Sequence, residues 1–321
     1  MRAALAVTFL SLAGPALASD FSLAFPVDCT LGEDCHIQQY MDRDPGPAAR
    51  DFTCGPLSYD GHSGTDFAVS TLADMEQGVA VLAAASGVVL GVRDGMRDMY
   101  YTPEIAAAIE GRECGNGVVL DHGDGWVTQY CHLRQGSVAV TRGQRVDVGA
   151  RLGDIGLSGR TEFPHLHLTV RKDGRDVDPF GPSNDKLCQM PPAGDRTLWR
   201  DPVPYKPGGL LDVGFADGIP DFDTVKAGRA ERAITPTSSA FVLFAYAFGS
   251  RAGDRMVLEV DGPEGALFKQ EIALERTQAK VFRATGKRLR APWPTGEYTG
   301  QVVFLRQGEV LDTASVSIVV E

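Results

Sequence analysis

The chain is built from short runs of strand-forming residues cut by glycine-rich turns. From Asp60 onward the runs 65–69, 79–83, 87–92, 116–121, 126–132, 151–156 and 165–171 predict strands. Turns such as His122-Gly123-Asp124-Gly125 separate them, the pattern of an antiparallel all-β domain. One interruption is expected. Thr102 offers an N-cap, Pro103 a first helical position and 104–110 an alanine-rich stretch before Gly111, so a short helix should stand between strands. It either walls one side of a cleft or is a surface excursion. A second series, 240–248, 255–260, 266–272, 279–283, 297–305 and 310–320, is divided by Gly-Pro and Pro-Thr-Gly turns. That series predicts an immunoglobulin-like β-sandwich of about 110 residues.

The remaining segments set the expected boundaries. Residues 1–18 carry Arg2, an apolar run from Ala3 to Leu12 and Pro15-Ala16-Leu17-Ala18, the parts of a secretory signal peptide cut after Ala18. Residues 19–59, rich in Asp, Pro, Gly and Cys, read as an irregular cysteine-rich cap on a domain spanning 60–190. Five prolines (Pro191, Pro192, Pro202, Pro204, Pro207) make 191–209 a stiff linker to a sandwich over 210–321. No later run approaches the roughly 18 apolar residues of a membrane span, so an exported protein, periplasmic or extracellular, with no transmembrane segment is expected.

Composition narrows the chemistry. A net charge of −11 speaks against nucleic acid as a partner. The six cysteines all precede residue 190, and an even count in an exported chain favours disulfides. The preferred pairing is Cys29 with Cys35, Cys114 with Cys131 across a hairpin, and Cys54 with Cys188. With no C-x-x-C pair, cysteine-held zinc is disfavoured.

Histidine carries the strongest signal. In Phe163-Pro164-His165-Leu166-His167-Leu168, strand alternation puts His165 and His167 on one face and the leucines on the other. Upstream, Asp60-Gly61-His62-Ser63-Gly64-Thr65-Asp66 has the spacing H-x-x-x-D. Gly61, Gly64 and β-branched Thr65 disfavour a helix there, so a loop bearing His62 should run into a strand bearing Asp66. His132 ends the strand run Gln129-Tyr130-Cys131. His122, in a hairpin turn, reads as structural, and His36 has no chemical context in the cap. Each piece alone is commonplace, a polar strand face or a loop histidine. Together, His62, Asp66 and one of His165 and His167 form a set of two imidazoles and a carboxylate with an open position, as catalytic zinc requires. No Glu follows a ligand histidine, so the leftover imidazoles would move protons and stabilise an oxyanion.

The order H-x-x-x-D, then Tyr-x-His-Leu, then His-Leu-His resembles the lysostaphin or LytM-type zinc metallopeptidases, with the duplicated hybrid motif fold. Gly61-His62-x-Gly64-Thr65-Asp66-Phe67, Gly115-Asn116-Gly117 and Gly153-x-Ile155-Gly156-x-Ser158-Gly159 match as well, and the likeness runs from about 60 to 180. The resemblance implies one zinc ion held by His62, Asp66 and His167, with His132 and His165 as catalytic histidines. It implies an exported endopeptidase that hydrolyses peptide bonds in bacterial peptidoglycan cross-links or stems. A non-catalytic wall-binding protein or amidase activator of the same fold is the alternative, against which the complete set of five residues speaks. A non-haem iron triad fits the spacing and the disulfides poorly. The cap, an insertion at about 94–113 and the sandwich depart from shorter family members and bear on specificity, and a wall or protein partner for the sandwich stays open. Because every candidate ligand precedes the linker, a chain ending near Asp195 is expected to remain active.

Overall fold

A computed structural model of the protein describes residues 21–181 and 197–321. The expected signal peptide, Cys188 with its pairing to Cys54, and residues 191–196 of the proline-rich stretch lie outside the described residues. In the N-terminal part the elements are β1 (His36–Gln39), β2 (Thr65–Ala68), α1 (Leu72–Gln77), β3 (Ala80–Leu82), β4 (Gly87–Arg93), α2 (Ala106–Ile109), β5 (Asn116–Gly123), β6 (Trp126–Leu133), β7 (Arg145–Val146), β8 (Arg151–Asp154), β9 (His165–Lys172) and β10 (Arg175–Asp176). The C-terminal part has β11 (Gly209–Ala216), α3 (Phe222–Lys226), β12 (Ala240–Ser250), β13 (Arg255–Gly262), β14 (Gly265–Ala273), β15 (Gln278–Arg288), β16 (Gly296–Arg306) and β17 (Glu309–Val320). Among the described residues no helix is long and apolar enough to cross a membrane.

Each expected strand run forms a strand. The N-terminal sheet runs β1-β2-β9-β6-β5-β4-β7, with β10 paired to β9, and β3 pairs with β8 beside it. Leu166, Leu168 and Val170 of β9 turn into a core with Phe67, Val118, Leu120 and Tyr130, the face opposite the histidines. The expected helix over 102–110 is shorter than its composition suggests. A 3-10 turn over Pro103–Ile105 leads into the single turn of α2, and the Thr102 side chain makes no capping bond. One turn packed on little else gains too little to extend.

The cap is less independent than its composition suggests. Residues His36–Gln39 pair with β2 at the edge of the sheet. Asp51, fully buried, accepts hydrogen bonds from the amides of Thr53, Gly55 and Leu57 and from the Tyr205 hydroxyl. Tyr40, Phe52 and Phe180 stack edge and face with one another in the main core. The disulfides Cys29–Cys35 and Cys114–Cys131 are present as expected.

The C-terminal part is a β-sandwich. A sheet β11-β12-β15 faces a sheet β14-β13-β16-β17 across Phe215, Phe241, Leu243, Leu258, Val302 and Phe304. Strand β12 is buried at every position from Phe241 to Ser250, so both of its faces are covered. The inner face meets the sandwich core. The outer face carries Phe244 and Tyr246 under α3, and Phe248, which joins the N-terminal core. The sandwich is therefore docked on the N-terminal part through the back of its smaller sheet, and His36 packs against Phe248 at 4.5 Å between ring centroids.

Candidate metal centre and its catalytic neighbours

Three strands and one loop bring the five predicted side chains together. In the register of the sheet Asp66 lies opposite His167, and His167 opposite Cys131, so β2, β9 and β6 deliver Asp66, His167 and the neighbour of His132 to one row. The loop before β2 supplies His62. Its ring hydrogen bonds through Nδ1 to the Tyr40 carbonyl at 2.6 Å, beside the end of β1. Gly64 explains the glycine of the H-x-G motif, because a Cβ there would lie 2.7 Å from His167 Nε2 and 2.5 Å from the Leu168 carbonyl oxygen.

The ring nitrogens divide cleanly between outward and inward roles. His62 Nδ1–H donates to Tyr40, which leaves Nε2 with its lone pair facing inward. His167 is reversed, its Nε2 bonded to Thr169 Oγ1 at 3.0 Å and its Nδ1 facing inward. His62 Nε2, His167 Nδ1 and Asp66 Oδ1 then lie 2.8 to 3.1 Å from one another. All three are acceptors. Lone pairs that close repel unless a cation or proton sits among them, and each imidazole is already oriented by its other nitrogen, the arrangement seen behind metal ligands. The nitrogen, nitrogen, oxygen set suits zinc.

The other two histidines stand beside this group. His132 Nδ1–H donates to the Ser158 carbonyl at 2.8 Å, and its ring centroid is 4.7 Å from that of His165 and 6.0 Å from that of His167. His165 Nδ1–H donates to the Phe163 carbonyl at 2.9 Å, and its Nε2 lies 3.4 Å from Asp66 Oδ1. His132 has a positive φ of 63°. For a residue with a Cβ that is a strained conformation, costing on the order of 1 kcal/mol, and it swings the ring off the strand end toward His165. The disulfide from Cys131 to Cys114 and the bond from His132 N to the Cys114 carbonyl hold the strained residue in place.

Electrostatics follow from this packing. Burial works against the Asp66 carboxylate, but the imidazoles of His62, His165 and His167 packed around it outweigh it and hold the group well below the usual range. His132 is pushed well below the ordinary histidine value by burial and by its two histidine neighbours, so it is neutral at physiological pH. Burial likewise lowers His167.

The remaining histidines have structural partners. His122 bridges the Ser86 carbonyl and Thr128 Oγ1 at 2.8 and 2.7 Å, the role expected for it. His36 lies opposite Ala68, itself opposite His165, so it shares a sheet row with the site that its cap location did not suggest. Two aromatic residues went unnoticed in the sequence. Tyr59, 53 % exposed, packs its ring 4.5 Å from His62, and Phe163 stacks at 4.3 Å on His165. Both sit beside the motifs, yet spacing alone does not say which way an aromatic ring in a loop will turn.

Comparison with known proteins finds likeness over the stretch that carries these residues. The sequence model of Peptidase family M23 matches residues 60–179. Over 117 residues, 36% of this chain and 22% of the relative, the chain is 35% identical to the peptidoglycan DD-endopeptidase ShyA of Vibrio cholerae serotype O1. Over 120 residues, 37% of this chain and 22% of the relative, it is 32% identical to the DD-carboxypeptidase/endopeptidase Mpg of Neisseria meningitidis serogroup B. A crystal structure of a zinc containing peptidase from Vibrio cholerae aligns at 25% identity and a TM-score of 0.33, covering 53% of this chain and 41% of that one. The chain thus spans about a fifth of the length of these two curated relatives. Residues 60–179 are a domain of peptidase family M23, of the lysostaphin or LytM type.

Proposed function

We propose that the protein is an exported, zinc-dependent endopeptidase that hydrolyses peptide bonds in the cross-links or stems of bacterial peptidoglycan. The observation that carries this reading is the convergence of His62 Nε2, Asp66 Oδ1 and His167 Nδ1 within 3.1 Å, with two further buried histidines beside them. Relatives whose names state peptidoglycan or DD-carboxypeptidase/endopeptidase activity support the substrate class.

In this reading His62, Asp66 and His167 hold one zinc ion, which when bound polarises the scissile carbonyl and makes water acidic enough to attack it near neutral pH. The Tyr40 carbonyl and Thr169 hydroxyl fix the ring orientations of the two ligand histidines. Neutral His132 can take up a proton, and an imidazolium of the His132 and His165 pair stands close enough to offset charge developing on the carbonyl oxygen. The same pair returns a proton to the leaving amine. The Phe163 and Ser158 carbonyls keep Nε2 of each ring turned to the site. Within the chain we assign 60–190 to the peptidase, 19–59 to its cap and 210–321 to a sandwich that shapes the cleft.

The test is digestion of defined cross-linked muropeptides with product masses read out. Cleavage should stop on chelation and return with zinc. Cleavage indifferent to chelation would sink the zinc mechanism, and a zinc-loaded, folded protein with no cleavage would favour the wall-binding or activator reading.

A further inference from the structure

We infer that the sandwich completes the substrate cleft with a carboxylate-binding site centred on Lys280, which selects peptides carrying a free carboxylate within one or two residues of the bond cut. This rests on the peptidase reading above.

Lys280 lies on β15, the edge strand of the smaller sandwich sheet, on the face it shares with Phe282 and Ala284 and away from the sandwich core. Its ammonium stands 4.6 Å from the centroid of the Phe163 ring and 5.6 Å from that of Tyr246. Phe163 is the ring stacked on His165, so one aromatic side chain touches both the sandwich lysine and a histidine of the site. The position is anchored from the peptidase side. Gln38 of β1, fully buried, donates from Nε2 to the carbonyl of Ala279 at 2.9 Å. An extended peptide advances about 3.3 Å per residue, so a chain leaving the histidine pair past Phe163 reaches the ammonium in one or two residues.

Among the described residues this ammonium has no carboxylate within 4 Å, whereas the neighbouring Lys226 pairs with Asp223 at 2.8 Å. Lys280 is half-buried, and a cation held over aromatic rings recovers only part of the hydration its ammonium gives up. The balance is adverse without an anion. Burial and the nearby Lys226 pull Lys280 down to about 7, the effect that a bound carboxylate would reverse. A single ammonium beside a peptide-cleaving pair suits one carboxylate on a peptide.

The test uses the full chain, loaded with zinc, and two soluble cross-linked peptides that differ only in whether the carboxylate next to the scissile bond is free or amidated. For the native protein kcat/KM should favour the free acid by about tenfold or more, roughly the value of one charge-assisted hydrogen bond. Lys280→Met should erase that preference chiefly through KM for the acid, and Lys280→Arg should keep part of it, with melting curves confirming that both variants fold. Equal acid-to-amide ratios in the native and Lys280→Met proteins overturn the inference. If the native protein cleaves neither peptide, the peptidase reading fails. Calorimetric binding of the intact acid peptide then decides the role of the lysine, and equal affinity for native and Lys280→Met protein counts against it.

Discussion

His167 and His165 are two residues apart on one strand face, yet their nitrogens point to different work. His167 presents Nδ1 to the acceptor cluster, whereas His165 presents Nε2 at its margin, 3.4 Å from Asp66. His167→Ala should therefore lose stoichiometric zinc, while His165→Ala keeps zinc and loses turnover by about 10²- to 10⁴-fold. Metal analysis of the purified variants checks this, and equal zinc contents would overturn the division. His36 gives a second test at this scale. Burial and then the Lys280 charge hold it at about 3, with Nε2 bonded to Gln38 and Nδ1 without a partner. The folded protein keeps this ring neutral, so as pH falls below about 6.5 the unfolded chain takes up the proton first. The linked loss of stability spans pH 6.5 to about 3 and is absent above it. Denaturant midpoints of His36→Gln should fall less steeply over that window than those of the native protein, and parallel slopes would refute the assignment.

Among the elements, the end of β6 does the most for the site. A strand that simply continued would carry the His132 ring along its own alternation. Instead the φ of 63° turns the ring, and the Cys114–Cys131 disulfide with the Ser158 carbonyl keeps it turned. Changing both cysteines to serine removes a cross-link across a 17-residue separation, which should cost about 3 kcal/mol in a denaturant melt. It should also lower turnover with zinc content unchanged, since the metal-facing atoms lie on β2, β9 and the loop before β2. Lost zinc would show instead that the hairpin supports the metal cluster. The glycines of the same region show why the motifs read so clearly. A Cβ at Gly115 would lie 2.3 Å from the Ser158 carbonyl oxygen, and one at Gly159 2.3 Å from that of Glu113. The two segments whose Cys114 and Ser158 carbonyls bond to His132 approach backbone to backbone, so their glycines are required and visible in the sequence.

For the whole molecule, the position of the ligands before the linker suggested that a chain ending near Asp195 would suffice. The packing argues otherwise. Trp199 bridges to Leu23 and packs its ring edge-on to Phe67 and tilted against Phe180, and Phe248 is 2 % exposed within the same core. Removing one large aromatic from a core costs about 3–5 kcal/mol, against a total stability of about 5–15. A chain ending at Asp195 should therefore aggregate or melt without cooperativity in calorimetry. A monomeric, cooperatively melting and active truncation would show that the docking is dispensable.

The sequence by itself determined what depends on neighbours in the chain. Alternation fixed the strands and put both histidines of β9 on one face. Glycine and β-branched residues fixed His62 in a loop and Asp66 on a strand. Nearby cysteines made the two short-range disulfides the preferred pairing among the fifteen connectivities open to six cysteines, and Thr71 with Asp74 wrote the capping box of α1. Only the tertiary structure decided which nitrogen of His62 and His132 faces inward, because their Tyr40 and Ser158 partners are brought in by sheet register and loop packing. It also decided that β1 joins the sheet, that β12 is covered on both faces, and that Lys280 reaches Phe163. Those contacts join elements that are not neighbours in the chain, and a local pattern carries no record of the surface that will eventually cover it.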